Sequence, residues 1–387
     1  GHQVVLHHAA PGKIPYGSYF ASLVVSDTFI RTGRVPASGS AVVRHLKPCG
    51  GQLILDRTTK APGKPVSRKQ LTAWLDQLEL GGQSTRLVRD GRAVLVRGKL
   101  PGAGSWSHQY GEPGNTACST DQLVRGGLGV LWYGDPGPGK MVNRHDGAIG
   151  PVSTNGRLFV QGTDSLMAYD AYNGVKLWEF KNPRAVRTGV FQNHAPGNLV
   201  ASDDSVFMML DHRCLELDAA TGKLKTTHLC QAGDRQDDIE REWGYIALRD
   251  GLLFGTATRR KRLDAARARR GKQTQDVTDE IFAIDLETGK HLWRFAGKSI
   301  DHRTIAVGPG KVCFIDSSIT PEQRKALLDQ DKTELKKLKG EAAKRAEDLL
   351  KRADVRTAMA LNARTGKVRW SSAVDVTDAS DSATGGG

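Results

Sequence analysis

The chain has 387 residues, of which 39% are hydrophobic and 44 are glycine, and it carries a formal net charge of +14. That length exceeds what one hydrophobic core usually serves, and a glycine-rich, aromatic-poor composition suits a strand- and turn-rich globular protein, not a disordered or mainly helical one. The charge does not point to nucleic acid, because half of the excess sits in residues 259–272, where eight basic residues and one acidic residue form a solvated loop pattern.

In chain order, Ala21–Ser26 is a short apolar, β-branched run that reads as a buried parallel strand, followed by a helix. Asp27 closes that strand and reads as a helix N-cap, with a substrate or cofactor contact as the alternative. Lys47-Pro48-Cys49-Gly50-Gly51 breaks the chain before a second buried strand at Gln52–Asp56. A helix is expected over 67–78, capped by Ser67 with Gln70 at N3, with Leu71, Trp74, Leu75 and Leu78 on one face. Thr85–Val88 and Ala93–Arg97, joined through Asp90-Gly91, predict a hairpin.

This order, with LKPCGG before the second strand, resembles the second half of a class I S-adenosylmethionine-dependent methyltransferase over residues 17–98. The resemblance implies a partial α/β, Rossmann-like domain over 1–100. The family holds its cofactor on a glycine-rich turn after its first strand. No such turn occurs in this sequence, so methyl transfer would need a cofactor-binding half lying upstream.

From Trp106 onward the sequence repeats itself. LMAYDAYNGVKLWEF (166–180), CLELDAATGKLKTTH (214–228), IFAIDLETGKHLWRF (281–295) and MALNARTGKVRW (359–370) each read strand, turn, strand. Asp170, Asp218, Asp285 and Asn362 accept amides as the chain leaves the strand, and Gly174, Gly222, Gly289 and Gly366 supply the turn. Trp178, Trp293 and Trp370 follow four residues after the glycine, whereas the second copy has Thr226. Thr226 and Asn362 depart from the pattern, so looser or differently filled contacts are expected at both.

These copies resemble the pyrroloquinoline-quinone (PQQ) type propeller repeat, in which the Trp docks between neighbouring blades. The stretch from Trp106 through Asn115, Ser119 and Leu123 to Val130-Leu131-Trp132 resembles the entry to a quinoprotein dehydrogenase propeller. Together with the methyltransferase-like half, it resembles large multidomain repeat proteins of planctomycete-type bacteria. The implied fold is mainly β: a PQQ-like propeller of four-stranded antiparallel blades over 101–387, preceded by the α/β part. About five blades are countable, fewer than such rings commonly close with, so the chain reads as an excerpt of a longer one.

Spacings between turn glycines exceed a plain blade, which marks insertions at 259–275, a basic loop, and at 320–354, a charged helix starting at Thr320, Pro321 and Gln323. Leu328, Leu335, Ala342 and Leu349 recur every seven residues, with Leu338 between and Gly340 interrupting, a face for its own protein or for a partner helix. Both insertions suit protein contacts.

Cys49, Cys118, Cys214, Cys230 and Cys313 form no CxxC pair and no zinc spacing, so no metal site is expected. Cys214 and Cys230 flank one strand-turn unit and could pair in an oxidising compartment, with buried thiols the simpler expectation. No run of 18 apolar residues exists to span a bilayer as a helix.

A quinoprotein dehydrogenase needs Ca²⁺ beneath the quinone and an Asp base, and often a vicinal Cys-Cys ring, which this sequence lacks. Candidate channel-facing polar residues are Asn143, Arg144 and His145, then Asn193 and His194, then Asp301 and His302. The reading is a non-catalytic propeller that binds or assembles proteins outside the cytoplasm, with no cofactor on this segment. Alternatives are a quinone-dependent oxidoreductase with PQQ and calcium, or an S-adenosylmethionine-dependent methyltransferase.

Overall fold

The fold is that of a computed structural model, described for residues 4–57, 65–78, 80, 83–135, 140–141, 150–182, 199–210, 212–230, 241–259, 278–316, 337–344 and 355–375.

An α/β unit comes first. It contains β1 (Leu23–Val25), α1 (Asp27–Thr32), α2 (Gly39–Val43), β2 (Gln52–Asp56), α3 (Arg68–Asp76), β3 (Thr85–Arg89) and β4 (Arg92–Val96). The sheet runs β1-β2-β4-β3, with β1 parallel to β2 and the remaining pairs antiparallel. The α3 capping box forms: Ser67 Oγ accepts from Gln70 N while the Gln70 side chain accepts from Ser67 N. The cap of α1 is Ser26, not Asp27. The Ser26 hydroxyl accepts from Phe29 N, and Asp27, one residue inside the helix, pairs with Arg31 across a turn at 2.7 Å. Phe29, Val42, Val43, Leu71 and Leu75 from the helices pack on Leu53, Leu55, Ala93 and Leu95, all on one sheet face. The opposite face leaves Leu23, Val25 and Leu87 exposed.

Four four-stranded sheets follow, each an antiparallel meander. The first contains β5 (Val152–Thr154), β6 (Arg157–Gln161), β7 (Ser165–Asp170) and β8 (Lys176–Lys181). The second contains β9 (Leu199–Ala201), β10 (Ser205–Leu210), β11 (Arg213–Asp218) and β12 (Leu224–Leu229). The third contains β13 (Arg241–Arg249), β14 (Leu252–Arg259), β15 (Glu280–Asp285) and β16 (His291–Ala296). The fourth contains β17 (Asp301–Gly308), β18 (Lys311–Asp316), β19 (Val355–Asn362) and β20 (Val368–Asp375). The first strands β5, β9, β13 and β17 neighbour one another in turn, so they stand around a common axis with the sheets radiating outward. This is β-propeller architecture. Continuous apolar clusters fill the sheet-to-sheet spaces, such as Phe254, Trp293, Ile305, Phe314 and Leu361 between the third and fourth.

Alternation of strand direction fixes the two ends of the array. Turns within the β5/β6 and β7/β8 pairs, and their equivalents, lie at one end, where the α/β unit seats itself. Lys47 pairs with Asp170, Asn173 Nδ2 donates to Phe20 O at 2.9 Å, and Lys99 pairs with Asp203. The connections from β14 to β15 and from β18 to β19 lie at the other end, and these carry the two insertions.

The entry stretch from Trp106 forms no sheet of its own among the described residues, only isolated bridges. Its chain is spent on contacts with the four sheets. Of the 320–354 insertion, residues 337–344 are described: Leu338 and Ala342 are exposed, while Thr320, Pro321, Gln323, Leu328, Leu335 and Leu349 lie outside the described residues, as does most of the basic loop. All five cysteines are thiols, with Cys214 and Cys230 both buried.

Candidate functional site

Each outer hairpin is built identically. Asp170 Oδ1 accepts from Tyr172 N and Asn173 N at 3.0 and 3.2 Å, and Asp218 Oδ1 from Ala220 N and Thr221 N at 3.1 and 2.8 Å. Asn362 makes the same two bonds, at 3.0 Å to Arg364 N and Thr365 N, so the asparagine does not loosen its turn. Its carbonyl-type oxygen is all the geometry requires.

The tryptophans then join the sheets. Trp178 Nε1 donates to Ala219 O at 3.1 Å and Trp293 Nε1 to Ala363 O at 2.8 Å, each ring lying over the turn glycine of the next sheet. A Cβ added to Gly222 or Gly366 would come within 2.6 Å of that ring, so only glycine admits the indole. Trp132 does the same to the first sheet, with Nε1 on Ala171 O at 2.9 Å and its ring over Gly174. Sequence reading placed Trp132 in an entry motif and missed this role, although the ring and its target repeat the Trp178 pattern.

The second-to-third contact is filled differently. Ala168, Ala283 and Ala360 stand directly across from Trp178, Trp293 and Trp370, giving the rings room. Across from Thr226 stands Glu216. The receiving turn has Leu286 where the others have Ala171, Ala219 and Ala363, and nothing lies within 4 Å of a Cβ on Gly289. Glu216 accepts from Ser205 Oγ at 2.7 Å, Lys225 Nζ at 3.1 Å and His228 Nε2 at 3.2 Å. His228 first, then Ser205 and Lys225, hold its carboxyl down to about 2 despite burial.

Residues 106–115 cross the inner strands of all four sheets at the end nearer the α/β unit. Trp106 bridges Ser153, Ser107 O accepts from Ala201 N at 2.9 Å, and Pro113 O accepts from Val307 N at 2.8 Å. Asn115 Nδ2 donates to Ile305 O. The buried His108 takes Leu248 N on its Nε2 at 3.0 Å, and burial pushes its pKa down to about 4. These contacts strap the four inner strands together at that end.

The opposite, insertion-bearing end is a rim of ion pairs. Asp301 receives Arg303 at 2.8 Å and Arg356 at 3.5 Å. Burial would raise the Asp301 carboxyl, but Arg303 and then Arg356 hold it below the usual range. Arg241 bridges Asp279 at 2.7 Å and Glu280 at 3.1 Å, and Arg294 pairs with Glu280 while donating to Cys230 O at 2.7 Å. His302 stands beside Asp301 on β17, but its ring is buried against Gly244 and bonded to Thr278, and burial pushes it down to about 4. Asp301 and His302 are therefore both buried on the innermost strand. Asn143, Arg144, His145, Asn193 and His194 lie outside the described residues.

Four radial meanders, with a Trp-on-Gly dock at two of the three junctions between them, define a PQQ-type repeat propeller. The family profile described as outer membrane protein assembly factor BamB matches residues 57–276, more than half of the sequence, and the chain belongs to that family. The structure is similar to BamB from Moraxella catarrhalis at 13% identity and TM-score 0.32, covering 57% of this chain and 50% of that one. It is also similar to quinohemoprotein alcohol dehydrogenase ADHIIG from Pseudomonas putida HK5 at 15% identity and TM-score 0.41, covering 70% of this chain and 40% of that one. For the quinohemoprotein alcohol dehydrogenase from Comamonas testosteroni the values are 16%, 0.40, 69% and 41%. The chain thus spans half or less of the length of these proteins. No curated protein matches the sequence.

Proposed function

We propose that the chain is a non-catalytic, protein-binding scaffold of the assembly type, acting outside the cytoplasm. The observation that carries this reading is the arginine–carboxylate rim. Asp279, Glu280 and Asp301 each hold an arginine, while Arg303 remains half-exposed, an arrangement that suits recognition of a polar protein surface. Membership of a family described by an assembly factor supports the same reading.

Asp279, Glu280 and Asp301 are each already paired with arginine, which speaks against their holding Ca²⁺ beneath a quinone. Among the described residues no three His, Cys, Asp or Glu side chains gather as metal ligands. Methyl transfer by the α/β unit would need a further cofactor-holding half, and the outer edge of β1, the end strand of its sheet, offers a place for added strands. Calorimetric titration of the native polypeptide with S-adenosylmethionine tests that second reading, and absence of heat removes it.

The scaffold reading is tested by isolating the tagged native polypeptide from its own cells over a range of salt concentrations. A stoichiometric protein partner that leaves when Arg303 and Arg356 are both replaced by Glu is expected. Recovery of the protein alone at every salt concentration would refute the reading.

A further inference from the structure

His45, two residues past the end of α2, is 4% exposed, and both of its ring nitrogens face carbonyl oxygens. Nδ1 lies 3.1 Å from Gly17 O and Nε2 lies 3.1 Å from Pro11 O. A carbonyl oxygen only accepts, so keeping both contacts takes an N–H on each nitrogen, which is the imidazolium form. Nε2 also has a neighbour of the opposite kind. Arg44 Nε donates toward the same atom at 3.2 Å and needs it unprotonated. One nitrogen thus meets a donor and an acceptor that it cannot satisfy together, and its proton decides between them.

Counting bonds assigns the neutral tautomer. With the proton on Nδ1, Gly17 O and the Arg44 N–H are both satisfied, and Pro11 O is left against a lone pair. With the proton on Nε2, Pro11 O alone is satisfied, so the neutral ring carries its proton on Nδ1. His108 differs, because its Nε2 takes Leu248 N and its Nδ1 meets Ser107 Oγ, and a neutral ring serves both.

The Pro11 contact holds down a segment with little else to hold it. No residue from 4 to 16 is buried. Pro11–Lys13 form one 3-10 turn with Gly12 against Ala41 of α2. Tyr16 rests on Phe20 with ring centroids 4.6 Å apart, Phe20 lies edge-on to His45, and His7 bonds the Tyr16 hydroxyl at 2.9 Å. A segment that buries no side chain stays in place through single polar contacts, and one made to a charged ring is the strongest of these. The charged and titratable groups on the elements around the ring are Arg44, Lys13, Tyr16 and His7, with Lys47 turned to Asp170. Among the described residues no carboxylate bonds the ring, so the two carbonyls are what favour its charged form.

We infer that residues 4–16 are a proton-operated latch on the α/β unit. Protonated His45 ties Pro11 to the end of α2 while the exposed Arg44 turns into solvent. Neutral His45 takes the Arg44 N–H on Nε2 and lets the segment go. Release uncovers Ala41 and Phe20 beside the seam with the first sheet, where Phe20 O accepts from Asn173 Nδ2.

Nuclear magnetic resonance of the native polypeptide, labelled with nitrogen-15 in histidine and glycine, tests this between about pH 5 and 8. As pH falls, the His45 ring should pass from the Nδ1–H form to the doubly protonated form, and the heteronuclear NOE of the Gly12 amide should rise with the same midpoint. Arg44→Met removes the donor that favours the neutral ring and the cation that opposes the charged one. It should therefore raise the proton affinity of His45 several-fold. A ring that keeps one protonation state across the range, a neutral ring with its proton on Nε2, a Gly12 amide indifferent to the His45 titration, or a midpoint unmoved by Arg44→Met would each overturn the inference. The first three readouts need no substitution and Arg44 is exposed, so a folding failure would not leave the matter open.

Discussion

Trp178 lies over Gly222 of the neighbouring sheet, close enough that a single Cβ on that glycine would meet the ring at 2.6 Å, and its indole N–H reaches Ala219 O. The contact buries a large apolar ring while pairing its one polar atom, which is the condition for Trp to stabilise an interior. Replacing Trp178 or Trp293 by Ala should cost about 3–5 kcal/mol, and Trp370→Ala under about 1 kcal/mol in the 387-residue chain, because the third ring is half in solvent. Denaturant unfolding of the three variants checks the order.

Acid should destabilise the protein through two buried histidines. His108 and His302 both have pKa values pushed down to about 4 by burial, whereas in the unfolded chain each titrates near the ordinary 6.5. The unfolded state therefore takes the proton first, so their contribution is complete above about pH 6.5 and is lost as pH falls from there toward 4. Each is worth about 3 kcal/mol at most. Thermal unfolding between pH 7 and 4.5 should show the fall, and His108→Gln, which keeps an acceptor for Leu248 N, should flatten it. An unchanged midpoint across that window would contradict the burial of both rings.

Lys47→Met should uncouple the α/β unit from the first sheet. Asp170 keeps its two turn amides, so the loss is that of one charged partner, about 2 kcal/mol. Limited proteolysis is expected to release the first hundred residues faster from the variant than from the parent.

Thiol reactivity should follow exposure. Cys118 is exposed, while Cys214 and Cys230 are buried, and burial pushes the Cys214 thiol well above its ordinary value. Titration with an aromatic disulfide should find Cys118 modified fastest in the native protein and the Cys214/Cys230 pair only on unfolding.

What was legible in the sequence was local chemistry. The Asp/Asn, Gly and Trp positions declare their hairpins because amide acceptance, positive φ and ring burial all occur within a dozen residues. The α3 capping box is of the same kind. Ser26 displaced Asp27 as the cap of α1 because both residue types suit the position and only the register of the first turn decides. Long-range matters were not legible. Nothing local says that 106–115 straps four inner strands together, or that Glu216 and Leu286 replace two alanines because Thr226 replaces a tryptophan. Asp301 and His302 were singled out by their place at a blade start, but their surroundings include Arg303, Arg356, Gly244 and Thr278, three of them distant in sequence.

The proposed scaffold role turns on a rim in which Asp279, Glu280 and Asp301 are spent on arginines and which serves protein binding rather than a cofactor. Its most direct test is a titration of the native polypeptide with PQQ and Ca²⁺, followed by quinone absorption and by alcohol-dependent reduction of an artificial electron acceptor. The account predicts no bound quinone and no turnover, with the arginine pairs left intact. A saturable, calcium-dependent quinone band accompanied by dye reduction would contradict it.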